Sequence, residues 1–178
     1  ARLVFHKKEM YPDGSLTEIR IWQVNKQLAF PTGVKYAFYF VGPPPEREIV
    51  IGYDNHHGKG HHRHAGGKET SIMVPSVSAL LQRFRQEVAV HLRAQGRVSQ
   101  GARNCYERNG MKVKRVKIGV RPPGAIFDEA TEVIHQIEAS RSVRTQGEWL
   151  YFSNVREMGK VLTPKRLELL KVIRDRSP

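Results

Sequence analysis

Tyr11-Pro12-Asp13-Gly14 stands between two runs rich in Val, Ile, Leu, Phe and Trp, residues 2–10 and 15–24, and it constrains the fold more than any other stretch. Proline presets the first central dihedral of such a turn and glycine accepts a positive φ, so the chain must reverse there. The alternation in Glu18-Ile19-Arg20-Ile21-Trp22 points to a sheet with one buried face. A third strand is expected from Val34 to Val41, ended by Pro43-Pro44-Pro45, and a fourth from Glu48 to Tyr53. A short strand at Thr70 to Val74 completes the run.

Pro75-Ser76 then opens a helix, with Ser76 as N-cap. Val77, Leu80, Leu81, Phe84, Val88 and Leu92 recur at helical spacing as one apolar stripe. Residues 1–95 therefore predict an α+β domain, an antiparallel sheet with one long helix packed across it. Residues 96–110 are polar and without period and are expected to be a linker. From Met111 a smaller α+β segment, 111–178, is expected. It has a basic strand (Lys112 to Ile118) and a helix through Phe127, Ala130, Val133, Ile134 and Ile137. A strand at Glu148–Phe152 and a helix capped by Asn154 follow, and another helix restarts at Thr163-Pro164.

With 30 Lys and Arg against 17 Asp and Glu, the formal charge is +13, which favours a polyanionic partner. The surplus also serves plain solubility. Cys105 is the only cysteine, so no intrachain disulfide can form, which fits a reducing cytosol. No long apolar run or signal-peptide order is present. The expectation is a cytoplasmic protein with no membrane partner.

The segment Tyr53 to His64 holds five of the eight histidines, together with Gly58-Lys59-Gly60. Histidine can both accept and donate a proton near neutral pH, and a Gly-Lys-Gly turn lets backbone and ammonium approach an anion. His62 and His64 are two apart, so on a strand they share a face and suit an acid/base pair. Lys59 is the candidate for charge stabilisation and Asp54 for orienting a histidine. Tyr53, Asn55, Gly58, Gly60 and Arg63, with Arg83 from the helix, are the candidate nucleic-acid contacts. Three other readings stay open. The His-x-His pair with His56, His57 or Asp54 could hold a transition metal; the loop could be a phosphate clamp without catalysis; or it is a surface loop. The reading that leads is metal-independent cleavage of a nucleic-acid phosphodiester with no cofactor; the rival is a non-enzymatic nucleic-acid-binding regulator.

Several stretches carry a family resemblance. Leu3-Val4-Phe5-His6-Lys7-Lys8-Glu9, Tyr11-Pro12-Asp13-Gly14-Ser15, Ile21-Trp22-Gln23-Val24, Gly52-Tyr53-Asp54-Asn55, Gly58-Lys59-Gly60 and His62-Arg63-His64 together resemble the TumE-type toxins of bacterial toxin–antitoxin pairs. His61 departs from the acidic residue expected at that position. The resemblance implies an RNA target and an antitoxin partner. Val116-Lys117-Ile118-Gly119, Trp149-Leu150-Tyr151-Phe152-Ser153 and Leu162 to Leu170 are similar to the N-terminal part of winged-helix antitoxins, the last resembling a first winged-helix helix. That similarity implies a toxin joined to a truncated antitoxin, docked by strand addition or by the helix around Ile134 lying in a groove. It also implies operator DNA as a partner of the full antitoxin. The linker is compatible with a monomer or a domain-swapped homodimer.

Overall fold

The computed structural model describes residues 1–56, 60–95 and 116–165. The expected linker, Met111 and the basic residues 112–115 lie outside the described residues, as does most of the helix expected after Pro164.

Six strands form an antiparallel meander: β1 (Arg2–Met10), β2 (Leu16–Gln23), β3 (Val34–Val41), β4 (Ile49–Asp54), β5 (His62–Ala65) and β6 (Lys68–Ser71). The first turn closes as its residues require. Gly14 has φ +87°, its N–H bonds Tyr11 O, and Asp13 Oδ1 accepts from Ser15 N at 2.9 Å. The histidine-rich segment runs from the end of β4 at Asp54 to the start of β5 at His62, with residues 57–59 outside the described ones, and β5 is paired on both sides.

Alternation sorts the two sheet faces. On β2, Thr17, Ile19 and Ile21 are buried while Glu18, Arg20 and Trp22 are partly exposed. The buried face is covered by α1 (Val77–Gln95), whose N-cap Ser76 accepts from Ala79 N at 3.0 Å. Phe84 of α1 packs 5.9 Å from Phe38 and 6.0 Å from Tyr53, between ring centroids. Each such fully buried aromatic contributes about 1.5–3 kcal/mol relative to exposure. The opposite face has no helix packed on strands β2 to β5 among the described residues.

The second half continues this sheet. β7 (Val116–Val120) and β8 (Glu148–Phe152) are parallel, which requires a crossover connection, and α2 (Ala125–Glu138) lies in it. β8 runs parallel beside β1, from Lys7 opposite Trp149 to Met10 opposite Phe152. The result is one mixed sheet of eight strands in the order β6-β5-β4-β3-β2-β1-β8-β7, within an α+β fold. The sequence predicts an antiparallel sheet and a separate smaller segment. Docking by strand addition is among the expectations, but pairing between residues more than 140 apart carries no local signal, so which strands meet is not legible.

α2 lies beside α1 and buries Ile126, Phe127, Ala130, Val133, Ile134 and Ile137. Ionic contacts fasten the union. Buried Lys7 of β1 pairs with Glu129 of α2, which also takes Arg121. Glu9, also buried, accepts from Gly124 N at 2.9 Å at the start of α2, where the helix dipole favours a carboxylate. Burial, then the nearby Arg121, push the Lys7 ammonium down to about 8 against the pull of Glu129. Asn154 caps α3 (Val155–Val161) by accepting from Glu157 N at 2.9 Å. No helix among the described residues is long and apolar enough to cross a membrane.

Candidate functional site

The register of β3, β4 and β5 brings three side chains together on the uncovered face. Gly52 stands between Tyr39 and His64 in one row, and Asp54 pairs with His62 in the next. Gly52 makes the gathering possible. A Cβ there would lie 2.8 Å from the Tyr39 ring, closer than real contacts come, and 3.1 Å from the His64 Cβ, a tight contact. With the gap left open, both side chains lean onto Asp54. His64 Nε2 is 2.9 Å from Asp54 Oδ2, and the Tyr39 hydroxyl donates to the same oxygen at 2.9 Å.

The electrostatics follow from burial. Asp54 is 6% exposed and His64 is partly open to solvent. Burial first, and then its bond to Asp54, push the Tyr39 hydroxyl well above its ordinary range, so it stays a donor. A carboxylate accepting from Nε2–H fixes the imidazole tautomer with Nδ1 as the acceptor nitrogen. Such an arrangement can take a proton from a bound hydroxyl.

His62 shares the face of His64, as the spacing predicts, but is 8% exposed. Its Nδ1 is 3.1 Å from Gly60 O and its Nε2 lies 3.8 Å from Glu69 Oε1, so a protonated ring would be balanced by that carboxylate. Gly60 has φ +76°, the left-handed turn that glycine permits, just before β5. Lys59, Gly58 and His57 lie outside the described residues.

The other sequence candidates sit elsewhere. Tyr53 and Arg63 pair across β4 and β5 on the helix-covered face, where Tyr53 is fully buried. The Tyr53 hydroxyl donates to Glu87 at 2.8 Å, and Arg63 and Arg83 each reach the same carboxylate at 3.1 Å. Burial alone would raise the Glu87 carboxyl, but the bonds from Tyr53, Arg63 and Arg83 outweigh it and hold it below the usual range. Asn55 is buried, and its amide bridges β3: Oδ1 accepts from Tyr36 N at 2.8 Å and Nδ2 donates to Val34 O at 2.9 Å. These residues join sheet to helix and strand to strand; they do not converge with His64.

His61 also faces the helix side. It takes a hydrogen bond from the Tyr36 hydroxyl at Nδ1, 2.8 Å away, and burial followed by the neighbouring His62 lowers its proton affinity. Among the described residues no group of three or more His, Cys, Asp or Glu side chains is arranged to hold a metal ion.

Sequence reasoning missed Tyr39, Gly52, Glu69 and Glu87. Tyr39 reads as one more aromatic in a strand, and only the β3–β4 register places it on Asp54.

A six-stranded meander crossed by one helix, with a histidine–carboxylate–tyrosine cluster on its bare face, defines a small α+β domain. The TumE toxin family matches residues 2–92, just over half of the chain. The chain belongs to that family and carries the toxin component of a toxin–antitoxin system, which implies an antitoxin partner. No curated protein and no solved structure matches it significantly.

Proposed function

We propose that the toxin half cleaves RNA without a metal, using the Asp54–His64 pair on the uncovered sheet face. The single observation that carries this reading is the 2.9 Å contact that sets His64 with Nδ1 as acceptor. In the step envisaged, His64 Nδ1 takes the proton of a ribose 2′-hydroxyl. The 2′-oxygen forms its bond to phosphorus as the bond from phosphorus to the 5′-oxygen breaks, and the leaving 5′-oxygen takes a proton from His62. The products are a 2′,3′-cyclic phosphate and a free 5′-hydroxyl. Each such proton transfer contributes ~10²–10⁴ in rate. Lys59 is the proposed cation over the developing phosphorane charge. Tyr53 and Asn55 drop out of the reading because both are buried and bonded within the fold.

The proposal extends to the second half: residues 111–178 are an antitoxin-derived segment, docked by strand addition at β1 and by α2 against the helix layer. Support comes from the parallel pairing of β8 with β1 and the Lys7–Glu129–Arg121 contacts. β5 is separated from β8 by four other strands, about 20 Å or more at ordinary strand spacing. On this reading the described part of the segment completes the fold without covering His64. The test is incubation of the full chain with single-stranded RNA in chelator. Cyclic-phosphate ends that vanish with His64→Ala support cleavage. Tight binding with no cleavage supports the regulator instead.

A further inference from the structure

The uncovered face holds more than the His64 cluster. Trp22, Arg20 and Glu18 alternate along β2, with Lys35 of β3 opposite Trp22 and Tyr39 opposite Glu18. The Arg20 guanidinium lies 5.9 Å from the Trp22 ring centre and 5.7 Å from that of Tyr39. Lys35 Nζ stands 5.5 Å over Trp22, and the Tyr39 and His64 rings are 6.2 Å apart. Cations and flat rings thus follow one another from Trp22 to His64. From the Trp22 row to the Tyr39 row is four residues of strand, about 13 Å.

At the Trp22 end a cleft of about 670 Å³ opens between Arg2, Gln23, Asn25, Gln27, Phe30 and Lys35. Among the described residues the charged side chains lining it are the cations Arg2 and Lys35. The carboxylates of Glu18 and Asp54 lie beneath the ladder and both are engaged: Glu18, 2.7 Å from His6 and 3.5 Å from Arg20, and Asp54, bonded to Tyr39 and His64. An anion in the cleft is therefore met by Lys35 and by Arg2, whose guanidinium also donates to Gln23 Oε1 at 2.7 Å, with Arg20 further along the ladder. Rings partly exposed beside those cations suit a partner whose anionic links alternate with flat bases. A duplex hides its bases within its own stack and cannot use the rings.

We propose that this cleft and ladder form a track for single-stranded RNA, with phosphate held by Arg2 and Lys35, a base stacked on Trp22, and the strand led to His64. The inference rests on the ribonuclease reading and adds where the substrate lies. The strand enters at the cleft, crosses β2 and β3, and reaches β5.

The test titrates the full chain with a single-stranded 2′-O-methyl RNA oligonucleotide, which cannot be cleaved at the 2′-position, and with its blunt duplex. Trp22→Ala should lower affinity for the single strand about 5- to 150-fold, the size of one base stack. Trp22→Phe, which keeps a ring, should lose less and guards against a folding artefact. The chain has two tryptophans. In Trp149→Phe the remaining emission should be quenched by the oligonucleotide, while in Trp22→Phe it should not. Unchanged affinity in Trp22→Ala, or equal affinity for the duplex, overturns the track. Track and nuclease fail separately. Binding that depends on Trp22 without cleavage of ordinary RNA keeps the track and removes the chemistry. Cleavage with binding indifferent to Trp22 does the reverse.

Discussion

His64 Nε2 and Asp54 Oδ2 lie 2.9 Å apart on neighbouring strands, and the carboxylate is almost wholly removed from solvent. A carboxylate accepts only, so it selects the imidazole tautomer with the proton on Nε2. Asp54→Asn can present its NH₂ to the same nitrogen and select the other tautomer. RNA cleavage should then fall ~10²–10⁴-fold, with RNA affinity kept. Comparing turnover with oligonucleotide binding in the two proteins checks the split.

Gly52 is the slot that admits both neighbours. Gly52→Ala puts a methyl group 2.8 Å from the Tyr39 ring, so Tyr39 or the β3–β4 pairing must shift. Overpacking of this kind costs about 1–3 kcal/mol. Urea unfolding should show the loss, and cleavage should fall with it because Tyr39 no longer reaches Asp54.

Glu87 makes stability depend on acid. Its carboxyl ionises more readily in the folded chain than in the unfolded one, held down by Tyr53, Arg63 and Arg83 against the effect of burial. A depressed carboxyl stabilises the fold above its unfolded value and loses that contribution as pH falls through its folded value. The wild-type melting temperature should therefore drop on acidification below about 4.5, the ordinary glutamate value. Glu87→Gln should start lower at neutral pH and fall less steeply, as read by thermal melts across that range.

Glu129 joins the halves. Glu129→Gln leaves the buried Lys7 ammonium without its carboxylate and beside Arg121. Removing one partner of a fully buried pair costs about 3–5 kcal/mol, and the loss here is smaller because Glu129 is partly exposed. Limited proteolysis should then release residues beyond 115 faster than in the wild type. Lys7→Met together with Glu129→Leu should restore resistance, since an apolar pair of similar volume removes both charges.

Much of this fold is legible in the sequence. The Pro12-Asp13-Gly14 turn, the stripe on α1 and the caps at Ser76 and Asn154 are local signals, and the structure forms each where the residues require. The joining of β8 to β1 is not, because a parallel partner far along the chain leaves no mark on either strand. The His62–His64 face follows from a period of two. What that period cannot say is which neighbour each histidine meets. Asp54 lies opposite His62 in register, yet its carboxylate bonds His64 on the diagonal, because Gly52 leaves the space. Tyr53 looks like a stacking platform by composition. Its place on the helix side follows from being one residue from Asp54 on an alternating strand.

In the proposed reaction His64, set by Asp54, abstracts a ribose proton on the open face of the sheet. The most direct measurement is the full chain acting on single-stranded RNA in excess chelator, with product ends identified, for wild type and His64→Ala. The wild type should leave 2′,3′-cyclic phosphate ends, and the variant should cleave at least a hundredfold more slowly, at about the low end of one lost proton-transfer partner, with its fold intact. Undiminished cleavage by His64→Ala, or none by the wild type without added metal, would contradict that reaction.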